Sequence, residues 1–180
     1  QDKELYRQYT SELSSLTLKF GQNSLAATNA YSYNITNPKQ VEELPSFVKE
    51  GLAMEAKARG EKGWTVTLKA PSYVPFITYS SQRDIKEKLW KANNSRALGG
   101  KFDNSENIRQ ITALRLKIAN LLGYECYADY VLDNRMAQTT ATVLSFLEEL
   151  RVATKEYAEA EVAEIEAYAH SIGFEGKLMP

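Results

Sequence analysis

The sequence predicts a mainly α-helical fold: a bundle-like array of helices with a small β-hairpin or extended insertion near 64–79. Three observations carry this. Apolar residues recur at spacings of three and four over several long stretches, the period of a helix face. Capping residues bracket those stretches. Strand-like alternation is confined to short segments, Tyr31 to Ile35 and Trp64 to Leu68. The 180 residues suit a single domain over 1–180 and suffice to bury a core.

Tyr6, Tyr9, Leu13, Leu16 and Phe20 mark a long amphipathic helix from Asp2. Gly21 is a weak point in it, and Leu25, Ala26, Ala27 and Ala30 can continue it. Asn37-Pro38 marks a turn with a brief helix up to Leu44, and Pro45-Ser46 introduces a helix from Phe47 to Arg59 that Gly60 and Gly63 stop. After the strand at Trp64, two prolines between Ala70 and Pro75 break the pattern, and Phe76 to Tyr79 reads as a second short strand. Ser80 or Ser81 caps a helix carrying Ile85, Leu89 and Trp90, and Asn93 to Gly100 is a loop.

The most strongly specified stretch is Phe102 to Thr140. Asp103 and Glu106 have capping-box spacing. Ile108, Ile111, Leu114, Ile118, Leu121 and Leu122 form one face, and Gly123 stands where a left-handed C-cap belongs. A short helix follows with Tyr127, Tyr130, Val131 and Leu132. Thr139 or Thr140 then caps a last helix bearing Val143, Leu147, Leu150, Tyr157, Ile165 and Ile172, with Gly173 as its stop. Arg115 falls inside the apolar face of the first of these helices. Either its stem packs while its head reaches water, or it is buried against a carboxylate, with Asp129, Asp133 and Asp84 as candidates.

An apolar fraction of 43 % with 25 % charged residues is that of an ordinary globular protein. A net charge of −1 gives no pull toward nucleic acid or membrane, and neither is expected as a partner. The distribution is uneven: Gln82 to Lys117 carries nine Lys or Arg against four Asp or Glu, and Leu144 to His170 carries seven Glu against Arg151 and Lys155. These read as solvated helix faces. Cys126 is the only cysteine, so no intrachain disulfide can form. That suits the cytoplasm, with the periplasm as the alternative.

No catalytic or metal-binding residue is assigned, and substrate-binding residues are not identified. His170 is the only histidine; Glu166 lies one turn before it, but two groups do not make a four-coordinate site. No serine sits in a G-x-S-x-G elbow, and no glycine run forms a phosphate loop. Cys126 reads as a small apolar side chain. Among eleven tyrosines, Tyr6, Tyr9, Tyr127, Tyr130 and Tyr157 fit helix packing. Tyr31, Tyr33, Tyr73 and Tyr79 lie on expected extended segments and are candidates for contacting a peptide.

The run ITALRLKIANLLGYECYADYVLDNRMAQTTATVLSFLEEL, with Arg115, Ala119 to Tyr124, Tyr127-Ala128 and Met136-Ala137, resembles the thimet oligopeptidase and peptidyl-dipeptidase family of zinc metallopeptidases. Within that family it looks most like the bacterial dipeptidyl carboxypeptidases. The upstream run GWTVTLKAPSYVPFITYSSQRDIKEKLWKANNSRA resembles the same family, so the likeness spans most of the chain. The H-E-x-x-H motif that such chemistry needs is missing. The resemblance implies a fragment of a larger peptidase, the non-catalytic helical part preceding the zinc-binding helix, with both ends reading as cuts. It implies zinc in the full-length parent and none here, short peptides as the parent's substrates, release of dipeptides from their C-terminus, and a C-terminal catalytic domain of the same chain as partner. The alternative is a free-standing helical protein-interaction module.

Overall fold

Residues 2–179 are described by a computed structural model; Gln1 and Pro180 lie outside the described residues. Helix dominates, as expected. The order is α1 (Asp2–Ala30), β1 (Ser32–Ile35), α2 (Ser46–Ala58), β2 (Trp64–Thr67), α3 (Ala70–Tyr79), α4 (Arg83–Asn94), α5 (Ser105–Leu121), α6 (Tyr127–Leu132) and α7 (Thr140–Ser171). Short 3-10 turns lie at Pro38–Gln40 and Gly100–Phe102. Two compact units result, Ser11–Ala113 and Gln1–Thr10 with Leu114–Pro180, and the chain passes between them inside α1 and α5.

The Ser11–Ala113 unit is built around an antiparallel pair of strands. Tyr33 faces Val66 and Ile35 faces Trp64 in the register. The partner of β2 is therefore β1, and not the 76–79 segment expected as a strand. That segment belongs to α3. Pro71 sits in the first turn, where its missing N–H is an orphan anyway. Pro75 lies inside the helix and removes one helix hydrogen bond, a loss that burial of Phe76 against the sheet offsets. Ile35, Val41, Leu44, Val48, Leu52, Val66, Phe76, Ile85 and Leu89 form one buried cluster. Full burial of each large side chain contributes about 1.5–3 kcal/mol.

Polar groups inside this unit are matched. Buried Thr65 accepts from the Asn34 amide at 3.0 Å and donates to a Glu61 carboxylate oxygen at 2.5 Å. The Thr67 backbone N–H donates to Ser72 Oγ at 2.9 Å, which ties the strand to the start of α3. Glu43 accepts from both the N–H and the hydroxyl of Ser81, at 2.6 and 2.7 Å, and these bonds hold its pKa below the ordinary value. Ser80, expected to cap α4, instead accepts from the Gln82 N–H at 3.1 Å, and Gln82 occupies the cap position.

The capping box at Asp103 and Glu106 does not form. Asp103 accepts from the Gly99 N–H and from the N–H and hydroxyl of Ser105, and α5 starts at Ser105. Glu106 turns forward to grip Arg109 with both carboxylate oxygens and also accepts from Gln110, which lowers its pKa to about 2. The buried face of α5 also begins earlier than its leucines and isoleucines suggest. Asn104 and Asn107 are buried, whereas Ile108 and Leu122 are 49 % and 42 % exposed. Asn104 is fully used: its amide donates to Phe20 O and Ser24 Oγ on α1, and its oxygen accepts from Asn23 and Asn107.

In the other unit α5 ends as expected at Gly123, whose φ is +87°. The Tyr124 N–H reaches Ala119 O and the Gly123 N–H reaches Asn120 O, the paired bonds of a Schellman cap. Gly173 closes α7 in the same way: its N–H reaches His170 O and the Phe174 N–H reaches Ala169 O. Thr139 caps α7 at its start by accepting from the Thr142 N–H at 3.1 Å.

Two glycines give opposite predictions. At Gly63, φ is +83° and an added Cβ would stand 2.2 Å from Ile35 O. Gly63→Ala should therefore cost at least ~2 kcal/mol, since the strand pair must shift. Gly21 lies inside α1 with nothing within 4 Å of an added Cβ, so Gly21→Ala should stabilise by about 1 kcal/mol. Urea melts of both variants check the pair of signs.

Candidate functional site

The Ser11–Ala113 unit places the four tyrosines expected on extended segments differently from one another. Tyr31, Tyr33 and Tyr73 pack onto the buried cluster. Burial raises the Tyr31 pKa. Tyr79 is half exposed on α3 and meets exposed Phe47 of α2 edge-on, with centroids 6.1 Å apart. Beside that pair, α2, β2 and the start of α3 enclose a recess of ≈ 220 Å3 lined by Val48, Leu52, Pro71 and Pro75, with Glu55 and Lys69 among its walls. Glu55 is engaged by Arg59 at 2.8 Å.

In the other unit the aromatic residues gather at α6. Tyr130 lies 5.5 Å from Tyr124 and 5.7 Å from Tyr127 between centroids, and shares a hydrogen bond with Tyr6 that raises its pKa. The Tyr124 hydroxyl donates to Asp133 at 3.1 Å, which raises the Tyr124 pKa. Lys117 stands 5.6 Å over the Tyr9 ring. Arg115 is exposed, and its guanidinium lies 5.3 Å over the Tyr127 ring. The buried ion pair is thus excluded and the packed stem with a solvated head is the outcome. Asp129 is occupied otherwise: it accepts from Cys126 Sγ at 3.1 Å and from Thr140 Oγ1 at 3.3 Å. Asp133 serves Tyr124, and Asp84 lies 3.9 Å from Lys88.

His170 is exposed near the end of α7, and its Nδ1 lies 2.9 Å from Phe174 O. Among the described residues no three His, Cys, Asp or Glu side chains converge on a point that could hold a metal ion.

α7 is exposed over most of its length. Of its 32 residues, Ala169 is buried. Leu147, Leu150, Tyr157, Ile165, Tyr168 and Ile172 share one side and are 45 % to 74 % exposed. Apart from Tyr168 these belong to the stripe expected to pack; of that stripe only Val143 is half-buried, and the others are exposed. No described helix is long and apolar enough to cross a membrane.

Residues 76–180 match the model of peptidase family M3. The chain belongs to peptidase family M3. It is 32 % identical to Oligopeptidase A of Haemophilus influenzae over 93 % of this chain and 25 % of that protein. It is 34 % identical to a probable cytosolic oligopeptidase A of Arabidopsis thaliana, covering 95 % of this chain and 25 % of the relative. Identity to the Dipeptidyl carboxypeptidase of Escherichia coli is lower, 28 % over 92 % of this chain and 25 % of the relative. The chain thus spans about a quarter of the length of these relatives. The family read from the Arg115 to Ala137 pattern is the one found, and the likeness to oligopeptidase A exceeds that to dipeptidyl carboxypeptidase.

Arg115→Ala should lose about 1 kcal/mol or less, the size of an exposed cation–π contact. Urea melts measure it; a loss near ~3 kcal/mol would restore a buried pair.

Proposed function

We propose that this chain is the helical channel-wall part of a larger zinc-dependent peptide hydrolase, with 1–180 acting as a single helical domain. The observation that carries this reading is a family M3 match over 76–180 in a chain whose single histidine cannot form H-E-x-x-H. In this reading the zinc ligands and the water-activating base belong to a catalytic domain elsewhere in the parent, and that domain covers the bare stripe of α7. The substrates are short peptides. Cleavage of short peptides in general is supported by the higher identity to oligopeptidase A, and release of C-terminal dipeptides by the likeness to dipeptidyl carboxypeptidase. A cytoplasmic setting fits a lone, half-buried free thiol at Cys126.

The exposed α7 stripe also suits a free-standing interaction module, and one pair of measurements separates the readings. The isolated chain should hold no stoichiometric zinc after dialysis and show no turnover of a quenched short peptide. Chelator-sensitive turnover would overturn the assignment of catalysis to another domain. The chain should also self-associate with concentration in sedimentation, or bind a dye that reports exposed apolar surface. A strictly monomeric chain without dye binding would favour the self-sufficient module.

A further inference from the structure

The C-terminal ends of α1 and α4 and the loop after α4 leave a cleft of ≈ 390 Å3. Its walls are mostly small or apolar: Ala27, Ala30, Leu68, Ala92, Ala97 and Phe102. A second, more polar cleft of ≈ 500 Å3 is lined by Ser24, Thr28, Asn93 and Asn94. Arg96 lines both. No Asp or Glu lines either one. The only other ionisable side chain lining them is Tyr31, whose pKa burial raises.

Arg96 is held in place by neutral partners. Its Nε donates to Asn93 O at 2.8 Å and its Nη1 to Thr28 Oγ1 at 3.2 Å. A guanidinium has five N–H donors, so most of its fork is uncommitted. Arg96 is exposed at the rim shared by the two recesses, and no carboxylate is among their lining residues. The adjoining wall is also strained: Ala97 has φ +56°, a region that costs a non-glycine residue about 1 kcal/mol or more. The strain is sustained because buried Asn104 donates its N–H to Ala97 O at 2.9 Å. An apolar cleft of this size with one pre-positioned, unanswered guanidinium complements an apolar body ending in a carboxylate.

We propose that this cleft binds the C-terminal end of a short peptide, its carboxylate on Arg96 and its last apolar side chain among the alanines. The site rests on the peptide-handling reading above and adds Arg96 to it. The carboxylate would use the remaining N–H groups of the fork, while the bonds to Thr28 Oγ1 and Asn93 O orient the solvent-facing guanidinium.

The test is an amide-shift titration of the chain with N-acetyl-alanyl-phenylalanine and with the corresponding C-terminal amide, each to about 10 mM, a range set by the few contacts available. The free acid should shift the amides of Ala27, Ala92 and Ala97 saturably, and the amide should bind at least about tenfold more weakly. Arg96→Met should remove the preference for the acid. Ala30→Leu, which keeps Arg96 but fills the cleft, should weaken both peptides alike while leaving the rest of the spectrum in place. Equal binding of acid and amide, or no shift at these residues, would overturn the assignment. Saturable shifts elsewhere on the chain would also overturn it, yet leave the peptide-handling reading standing.

Discussion

Asn104 is the constraint on which the Ser11–Ala113 unit depends. A buried amide offers two donors and two acceptor sites, and here every one is matched. Two bonds reach the α1 positions Phe20 and Ser24, one comes from Asn23, and one from Asn107 on α5. Its backbone N–H holds Ala97 as well. One residue thus fixes α1 and the start of α5 through its side chain, and the loop between α4 and α5 through its backbone. The geometry cannot slide, because any displacement leaves a buried polar group unpaired at a cost of about 1–3 kcal/mol. Hydrophobic packing alone would allow such sliding. The second fixed point is the strand pair, closed over Gly63, which orders the cluster around Val66 and Phe76.

Much of this architecture is legible in the sequence, and the failures have physical causes. The helix period, the C-caps at Gly123 and Gly173 and the Thr139 cap follow from local chemistry, so they were readable. The segment at Ala70–Tyr79 was misread because two prolines look like a break. Pro71 sits in the first turn, where it is tolerated, Pro75 sits inside the helix at the loss of one hydrogen bond, and burial of Phe76 decides the outcome. The pairing of β2 with β1 joins residues about thirty positions apart, and no local signal announces such a partner. The Asp103–Glu106 spacing was a true motif with competing bonds available: Asp103 prefers the Gly99 and Ser105 donors, and Glu106 prefers Arg109. Asn104 and Asn107 were missed as core because polar residues are ordinarily exposed. Arg115 was legible as anomalous, but its destination over Tyr127 required knowing where α6 falls.

The candidate sites were less legible than the fold. Arg96 carries no motif. Its distinction is the lack of a carboxylate at a cleft, which only the packed chain reveals. The tyrosines divide by burial, which no spacing predicts: Tyr31, Tyr33 and Tyr73 are structural, while Tyr79 and Phe47 remain on the surface.

The α7 stripe links fold to function. A helix of 32 residues whose one buried residue is Ala169 draws little support from packing. In the wall reading its apolar side is built for the rest of a longer peptidase. Native-state amide exchange on the isolated chain measures this most directly. The account predicts that amides between Leu150 and Ile165 exchange at least ~100-fold faster than those of β1, β2 and α2, because nothing buried holds them. Protection of those α7 amides equal to the strand pair would contradict it, since α7 would then be part of a core that this chain completes alone.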